Sequence, residues 1–366
     1  MKRKLWSLAI PMVMMAGLSA CSANNSAPAA ETAAKAAVTT EAAAAGQSAA
    51  ESAAGMEGDY TEIIMKFGTS SAESTLTAKT FMEWGERLSQ KTDGKVKVDV
   101  YCSSVLGNNS EMVQGAQLGT VDIAVIQPGG IADMGATKMN LLTLPYLFNS
   151  YDQYYKTLTG PVGEQLLQDV TDHVSGLVGF GYLPDGGRDY FTTSKPIRTI
   201  EDIKGQKLRV QPYEIDGDTA SALGFSATPV AFSELYSALQ TGVVDGAENP
   251  IAGIDGSALY EVSSYLTLDN HTYNIPVLLV SRKTWDKISD DTKTLMETEW
   301  LLVVDEYYVP QLSAYEAELL KKFEAHGVEV IPAVADPEKW VEAVQPVWDK
   351  YGVGIEDLIQ EVQNLK

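Results

Sequence analysis

Arginine and asparagine, not a nucleophile or a metal cluster, are the side chains here whose type and placement suit a defined chemistry. Arg209 ends an apolar strand pattern over 206–210, the position where open α/β sheets present ligands. A guanidinium offers paired donors in one plane and so matches a carboxylate bidentately. Asn249, just ahead of Pro250, can donate to a carboxylate oxygen and still orient on a hydroxyl. Phe232 immediately precedes a helical pattern, so its ring could pack on a ligand's apolar face beside helix N–H donors. Each has a plainer reading when taken alone. An arginine after a strand is as readily a solvated or ion-paired surface residue, and a phenylalanine is as readily core.

The constellations of an enzyme are missing. There is no Gly-x-Ser-x-Gly elbow, no His-Glu-x-x-His and no Cys–His pair in a plausible context. His173, His271 and His326 lack metal-ligand spacing; His271 reads as structural. Asp216-Gly217-Asp218 hints at a calcium loop, but the remaining EF-hand spacing is absent and a solvated helix start fits better. With 49 Asp and Glu residues, no carboxylate pair stands out as catalytic. Neither a catalytic residue nor a metal or cofactor is expected.

The chain opens with Lys2, Arg3 and Lys4, then a short apolar core, then Leu18-Ser-Ala-Cys21. This order reads as a secretory signal over 1–20. It resembles a bacterial lipobox, in which Cys21 is lipidated and anchors the protein to the membrane. Residues 21–59 are almost all Ala, Ser, Thr, Gly and Glu, which cannot bury a core and read as a disordered tether. As a coil this tether spans about 35 Å. No other stretch is long and apolar enough to cross a bilayer. Lipidation of Cys21 would leave Cys102 without a disulfide partner.

Losing the three positives of the signal takes the formal charge from −22 to −25. Such acidity argues against nucleic acid and against docking on anionic lipid. An anionic ligand must then be bound by a local arginine working against the global field. With a Debye length of about 8–10 Å, a close arginine outweighs distant acids.

The body, from residue 60 onward, is long enough for two α/β lobes. Strand patterns at 62–67, 95–101 and 121–126 alternate with helical patterns beginning near Ser74 and Ser110, an order that implies a mainly parallel sheet. The rhythm repeats with strands at 177–182, 206–210 and 226–230 and helices at 214–223 and 233–241. Val243-Val244 leads into an Asn-Pro turn. Residues 277–281 read as a strand returning to the first lobe. Residues 290–325 read as strongly helical, kinked or divided at Pro310. One or two helices follow from Pro337.

Four segments carry a family resemblance: Val105-Leu-Gly-Asn-Asn-Ser-Glu-Met-Val113 with Gly119-Thr-Val-Asp-Ile-Ala124; Leu144-Pro-Tyr-Leu-Phe148; Gly187-Arg188 through Leu208-Arg-Val210 to Asn249-Pro250; and Leu266-Thr-Leu-Asp-Asn-His271 with Trp285. Their order and spacing resemble the solute-binding proteins of tripartite ATP-independent periplasmic (TRAP) transporters. The resemblance implies a two-lobed α/β clamshell, like other periplasmic binding proteins, with one long helix spanning both lobes. Lobe 1 is expected over 60–185 and 275–312, and lobe 2 with the C-terminal helices over 186–274 and 313–366. It also implies that Arg209 makes the main salt bridge to a ligand carboxylate, with Arg188, Asn249 and Phe232 as further contacts. An acidic pocket residue of the sugar-acid binders falls, by spacing, near Gln127. Asn109, Glu73 and Tyr213 fall at the pocket rim and are not counted as contacts.

The implied function is capture of a small carboxylate, with a lean toward a sugar acid, and its delivery to small and large TRAP membrane subunits by a monomeric, lipid-anchored extracytoplasmic protein. A ligand-sensing surface lipoprotein and a secreted hydrolase are the competing readings. Cys21→Ser is expected to move the protein from membranes to the soluble fraction; unchanged membrane association on fractionation would reject the anchor.

Overall fold

The computed structural model describes residues 58–365. The signal, Cys21 and nearly all of the expected tether lie outside the described residues. Among the described residues no helix is long and apolar enough to cross a membrane.

Two sheets organise the chain. The first contains β1 (Ile63–Gly68), β2 (Val96–Tyr101), β3 (Ile123–Ile126), β4 (Leu177–Tyr182) and β10 (Val277–Ser281), in the order β2-β1-β3-β10-β4. β1 pairs in parallel with β2 and β3, and β10 inserts antiparallel between β3 and β4. The second contains β5 (Gly187–Thr192), β6 (Lys207–Val210), β7 (Ser226–Pro229), β8 (Gly246–Pro250), β9 (Tyr265–Tyr273) and β11 (Glu329–Ile331), in the order β11-β9-β5-β8-β6-β7. Here β5 runs antiparallel to both neighbours, while β6 is parallel to β7 and β8.

Local chemistry sets the helix ends. The Thr75 hydroxyl, and not the expected Ser74, caps α1 (Leu76–Lys91) by accepting from the Ala78 N–H. α1 then stops at Thr92, followed by Asp93 and Gly94 with φ of 51° and 79°. The cap of α2 (Asn109–Leu118) is Asn108 and not the expected Ser110. Its side chain and that of Glu111 form a reciprocal capping box, which uses one more orphan donor than a lone serine does. The Asn-Pro pair expected as a turn is instead the end of β8, running directly into α8 (Ile251–Gly256). Pro250 is tolerated because it closes the strand, where its missing N–H breaks no helix bond.

The helical run over 290–325 is divided as expected, but by a wider turn. α9 (Asp290–Val303) passes through a π-helical segment (Val304–Tyr308) into α10 (Val309–Ala325). Pro310 has no N–H to donate and its ring crowds the carbonyl of residue 306, and the π turn accommodates both faults without breaking the run. Trp300, Val304 and Tyr308 pack into the outer core of the first sheet, and Leu319 and Phe323 into that of the second. The run therefore crosses both lobes. The C-terminus holds three helices, α11 (Pro337–Ala343), α12 (Gln345–Tyr351) and α13 (Glu356–Asn364). α13 returns to the first half of the chain, where Val362 O accepts from Gln153 Nε2 at 2.8 Å.

Trp84 on α1 is the densest joint of the first sheet's outer core. Its ring meets Phe67, Phe180 and Trp300 at centroid distances of 6.4, 5.4 and 5.7 Å, and its Nε1 donates to Met296 O at 3.1 Å. Trp84→Ala is expected to destabilise the protein by about 3–5 kcal/mol through lost burial and the cavity left behind. Chemical denaturation checks this; a change under about 1 kcal/mol would mean the site collapses around the gap.

Candidate functional site

The carboxyl ends of the parallel strands of both sheets face one cleft. β1 delivers Thr69 and Ser70, and β3 delivers Gln127. From the second sheet, β6 leads to Gln211 and β8 ends in Asn249 and Pro250; all of these line the cleft. Because β5 runs antiparallel to β8, its first residues, including Arg188, arrive at the same edge. This is where ligands sit in open α/β sheets. The cleft holds about 670 Å³, counting the space open to solvent. Thr75, which caps α1, and Asn109, the first residue of α2, also line it, so the positive ends of two helix dipoles point at the same space.

Strand register sorts the charged groups onto two faces. Arg209 pairs opposite Ala247, two residues before Asn249, so Arg209 and Asn249 share a face. Arg188 pairs opposite Pro250, two residues after Glu248, so Arg188 and Glu248 share the other. The two pairs meet only at the strand ends.

Their states differ. Arg188 is buried and already satisfied. Its Nε and Nη2 donate to the two carboxylate oxygens of Glu248, and its Nη1 donates to Asn274 Oδ1 at 2.6 Å. Asn274 donates onward to Asp185 at 2.7 Å, and Asp185 accepts from Tyr308 on the crossing helix at 2.5 Å. On the far side of Glu248 stands His271, 3.7 Å away, itself held by Asp269 at 3.1 Å. Burial alone would raise Glu248, but Arg188 and His271 outweigh it and hold the carboxyl at about 2. Burial likewise opposes the charge on His271, yet Asp269 and Glu248 push it up to about 10. His271 is structural, as its sequence context suggests.

Arg209 is 1 % exposed and only half satisfied. Its Nε donates to Val230 O at 2.8 Å, whereas Nη1 is buried without any hydrogen-bond partner. Burial pulls its pKa down to about 10, against the pull of Glu248, so it stays charged at neutral pH. The Phe232 ring lies 6.0 Å from its Cζ, and a short 3-10 turn begins at Phe232. Asn249 Nδ2 is a second buried donor without a partner. Gln127 accepts from Ile275 N–H at 3.0 Å through Oε1, leaving its amide nitrogen free beside the cleft.

All five sequence-derived positions, Arg209, Arg188, Asn249, Phe232 and Gln127, thus converge on the cleft and its immediate wall. Asn109 and Tyr213 line it as well, while Glu73 is exposed outside the lining. Sequence reasoning missed Glu248, Asn274 and Gln211, and it read Asp216 as part of a solvated helix start, whereas Asp216 is turned inward beside Gln211. Glu248 lies one residue before Asn249, but nothing in the linear pattern shows that β8 pairs with β5 and brings it onto Arg188. Among the described residues no cluster of His, Cys, Asp or Glu could hold a metal ion.

Two lobes flank one polar cleft, and a long helix crosses both. The chain matches the bacterial extracellular solute-binding protein family 7 over residues 67–353 and belongs to it. A solute-binding protein of Roseobacter denitrificans is 34% identical over 230 residues, 63% of this chain and 70% of that one. The solved sugar-acid-binding protein of Advenella mimigardefordensis, in complex with galactonate, is 30% identical with a TM-score of 0.79, covering 84% of this chain and 100% of that one. A TRAP periplasmic solute-binding protein of Sulfurospirillum deleyianum, solved with succinate, is 29% identical with a TM-score of 0.77 over 84% and 100% of the two chains.

Glu248→Gln is expected to destabilise the protein by about 3–5 kcal/mol at pH 7, because it strands the buried Arg188 charge. The native carboxyl sits below its unfolded value of about 4.3, so its contribution is fully present above that pH and is lost as pH falls toward about 2. Denaturation across pH should show the gap between wild type and variant closing over that acid window, with a further, smaller narrowing as pH rises toward about 10 and His271, which Glu248 helps keep charged, loses its proton.

Proposed function

We propose that this protein captures a small organic acid outside the cytoplasm, with a hydroxylated monocarboxylate such as a sugar acid as the favoured ligand. It hands the ligand to the membrane subunits of a TRAP-type secondary transporter and performs no catalysis. The observation that carries the reading is Arg209: a buried, charged guanidinium whose Nη1 points to no partner. A buried donor left unmet costs about 1–3 kcal/mol, more when charged. A ligand carboxylate removes that deficit on binding. Asn249 supplies a second donor, Phe232 an apolar wall and Gln127 an amide at the rim. Arg188, already paired, holds the wall of the site and contributes field more than a free fork. In the same reading Cys21 carries the lipid, residues 22–59 tether a monomeric body, and the lobes divide near residues 185, 275 and 312. The galactonate-bound and succinate-bound relatives support an organic-acid ligand.

A thermal-shift screen against an organic-acid library tests the class of ligand; an acid at 100 times its Kd adds about 2.7 kcal/mol of stability. Arg209→Ala should then weaken the best acid by roughly 30- to several-thousand-fold, since a desolvated charge pair loses about 2–5 kcal/mol when one partner is removed. Arg209→Lys should also bind poorly, keeping the charge but losing the fork. Near wild-type affinity by calorimetry in a folded Arg209→Ala would remove Arg209 from the site.

A further inference from the structure

The cleft continues past its anchor. Gln211 lines the compartment beside Arg209, the central one beside Arg188 and Asn249, and a third one of about 530 Å³ that reaches Asp216, Glu248 and His271. Gln127 lines both of the last two compartments. The compartments adjoin at Gln211: Arg209 lines one side of β6, Leu208 and Val210 line the third compartment on the other, and a ligand anchored at Arg209 reaches that compartment around the end of β6.

The charges along this path are already engaged, apart from two; Asp185, in the central compartment, accepts from Tyr308, Asn274 and the Gly186 N–H. Glu248 is taken by Arg188 and His271, and Asp269 by His271. Arg209 remains as an unpaired cation at one end. Asp216 remains as an acid without a cation at the other, where its Oδ2 accepts only from Gln211 Nε2 at 3.0 Å. That acid asks for a donor. Burial and the neighbouring Glu248 raise its pKa to about 7, so near neutral pH it can accept from a hydroxyl when ionised and donate to one when protonated. A second ligand carboxylate would meet two acids there and no free arginine.

Resting on the carboxylate reading of the cleft, we infer that Asp216, oriented by Gln211, is a specificity-determining residue that accepts a hydroxyl from the far end of the ligand. The site thereby selects a hydroxylated monocarboxylate over a dicarboxylate or an unsubstituted acid of the same length.

Calorimetry with galactonate, hexanoate and adipate on wild type, Asp216→Asn, Gln211→Ala and Arg209→Ala separates the possibilities. Wild type should prefer galactonate to both other acids by at least about tenfold, the scale of one hydrogen bond to a charged group. Asp216→Asn should lose about tenfold or more for galactonate, leave hexanoate unchanged and improve adipate. Gln211→Ala should shift the same ratios in the same direction, and guards against a folding defect in the first variant. A uniform loss for all three acids, an unchanged galactonate affinity in Asp216→Asn, or a wild-type preference for adipate overturns the inference. A 6-aminohexanoate preference overturns it in favour of an ammonium. If Arg209→Ala abolishes binding of every acid in those cases, the carboxylate reading stands and only the role of Asp216 falls. If no acid binds wild type, both fall.

Discussion

A buried guanidinium with one unmet donor is the constraint around which the rest of this structure is arranged. Arg209 is desolvated almost completely, and its protein partner is a single backbone carbonyl, Val230 O. Such a charge would be expelled or neutralised unless the surroundings compensate for its lost water. The compensation is diffuse. Glu248 and Asp216 exert an opposing pull that keeps Arg209 charged, yet neither closes on it. Nη1 is left without a partner among the described residues.

That arrangement requires the nearer carboxylate to be occupied elsewhere, and Arg188 does this. By taking both oxygens of Glu248 it neutralises the acid on the face of the sheet opposite Arg209. The Arg188 fork is in turn fixed through Asn274 and Asp185 to Tyr308, which lies in the π segment where the crossing helix changes sheets. The binding wall and the inter-lobe helix are thus one hydrogen-bonded chain. Tyr213 packs the other way across the cleft, its ring against Gly129 and Gly130, where a Cβ on Gly130 would approach it to 2.7 Å. Glu214 N–H reaches Asp133 at 3.3 Å beside it. Small residues at 129 and 130 are what allow the two halves to come this close.

Much of this architecture was legible in the sequence, and the parts that were not share a cause. β4, β10 and α6 (Glu214–Leu223) announce themselves by uninterrupted apolar runs or by helical spacing between clear stops. β5 and β9 do not. Gly187-Arg-Asp-Tyr-Phe-Thr192 is buried along nearly its whole length, yet its charged residues interrupt any apolar pattern. Their burial is affordable only because β8, β9 and the residues after them supply the partners, and partners distant in sequence leave no local periodicity. The same holds at the site. Arg209 and Asn249 could be singled out by type and position, whereas the pairing of Arg188 with Glu248 depends on the register of β5 against β8. The π segment is a similar case: Pro310 marks that the helix must yield, but nothing local shows that the yielding turn carries Tyr308 onto Asp185.

The global charge explains why the site takes this form. A chain with a formal charge of −22 repels anions at long range, and an exposed arginine on it would attract one of the chain's own carboxylates. Screening confines the global repulsion to about 8–10 Å in ordinary salt, so the ligand meets the local field only once it is inside the cleft. There, the low dielectric strengthens whatever charge is left uncompensated. Assigning the nearby acids to Arg188 and His271 in advance leaves one net positive position, Arg209, facing the space. In the proposed reading, a preference for a single carboxylate follows from how the acids are occupied as much as from the arginine itself.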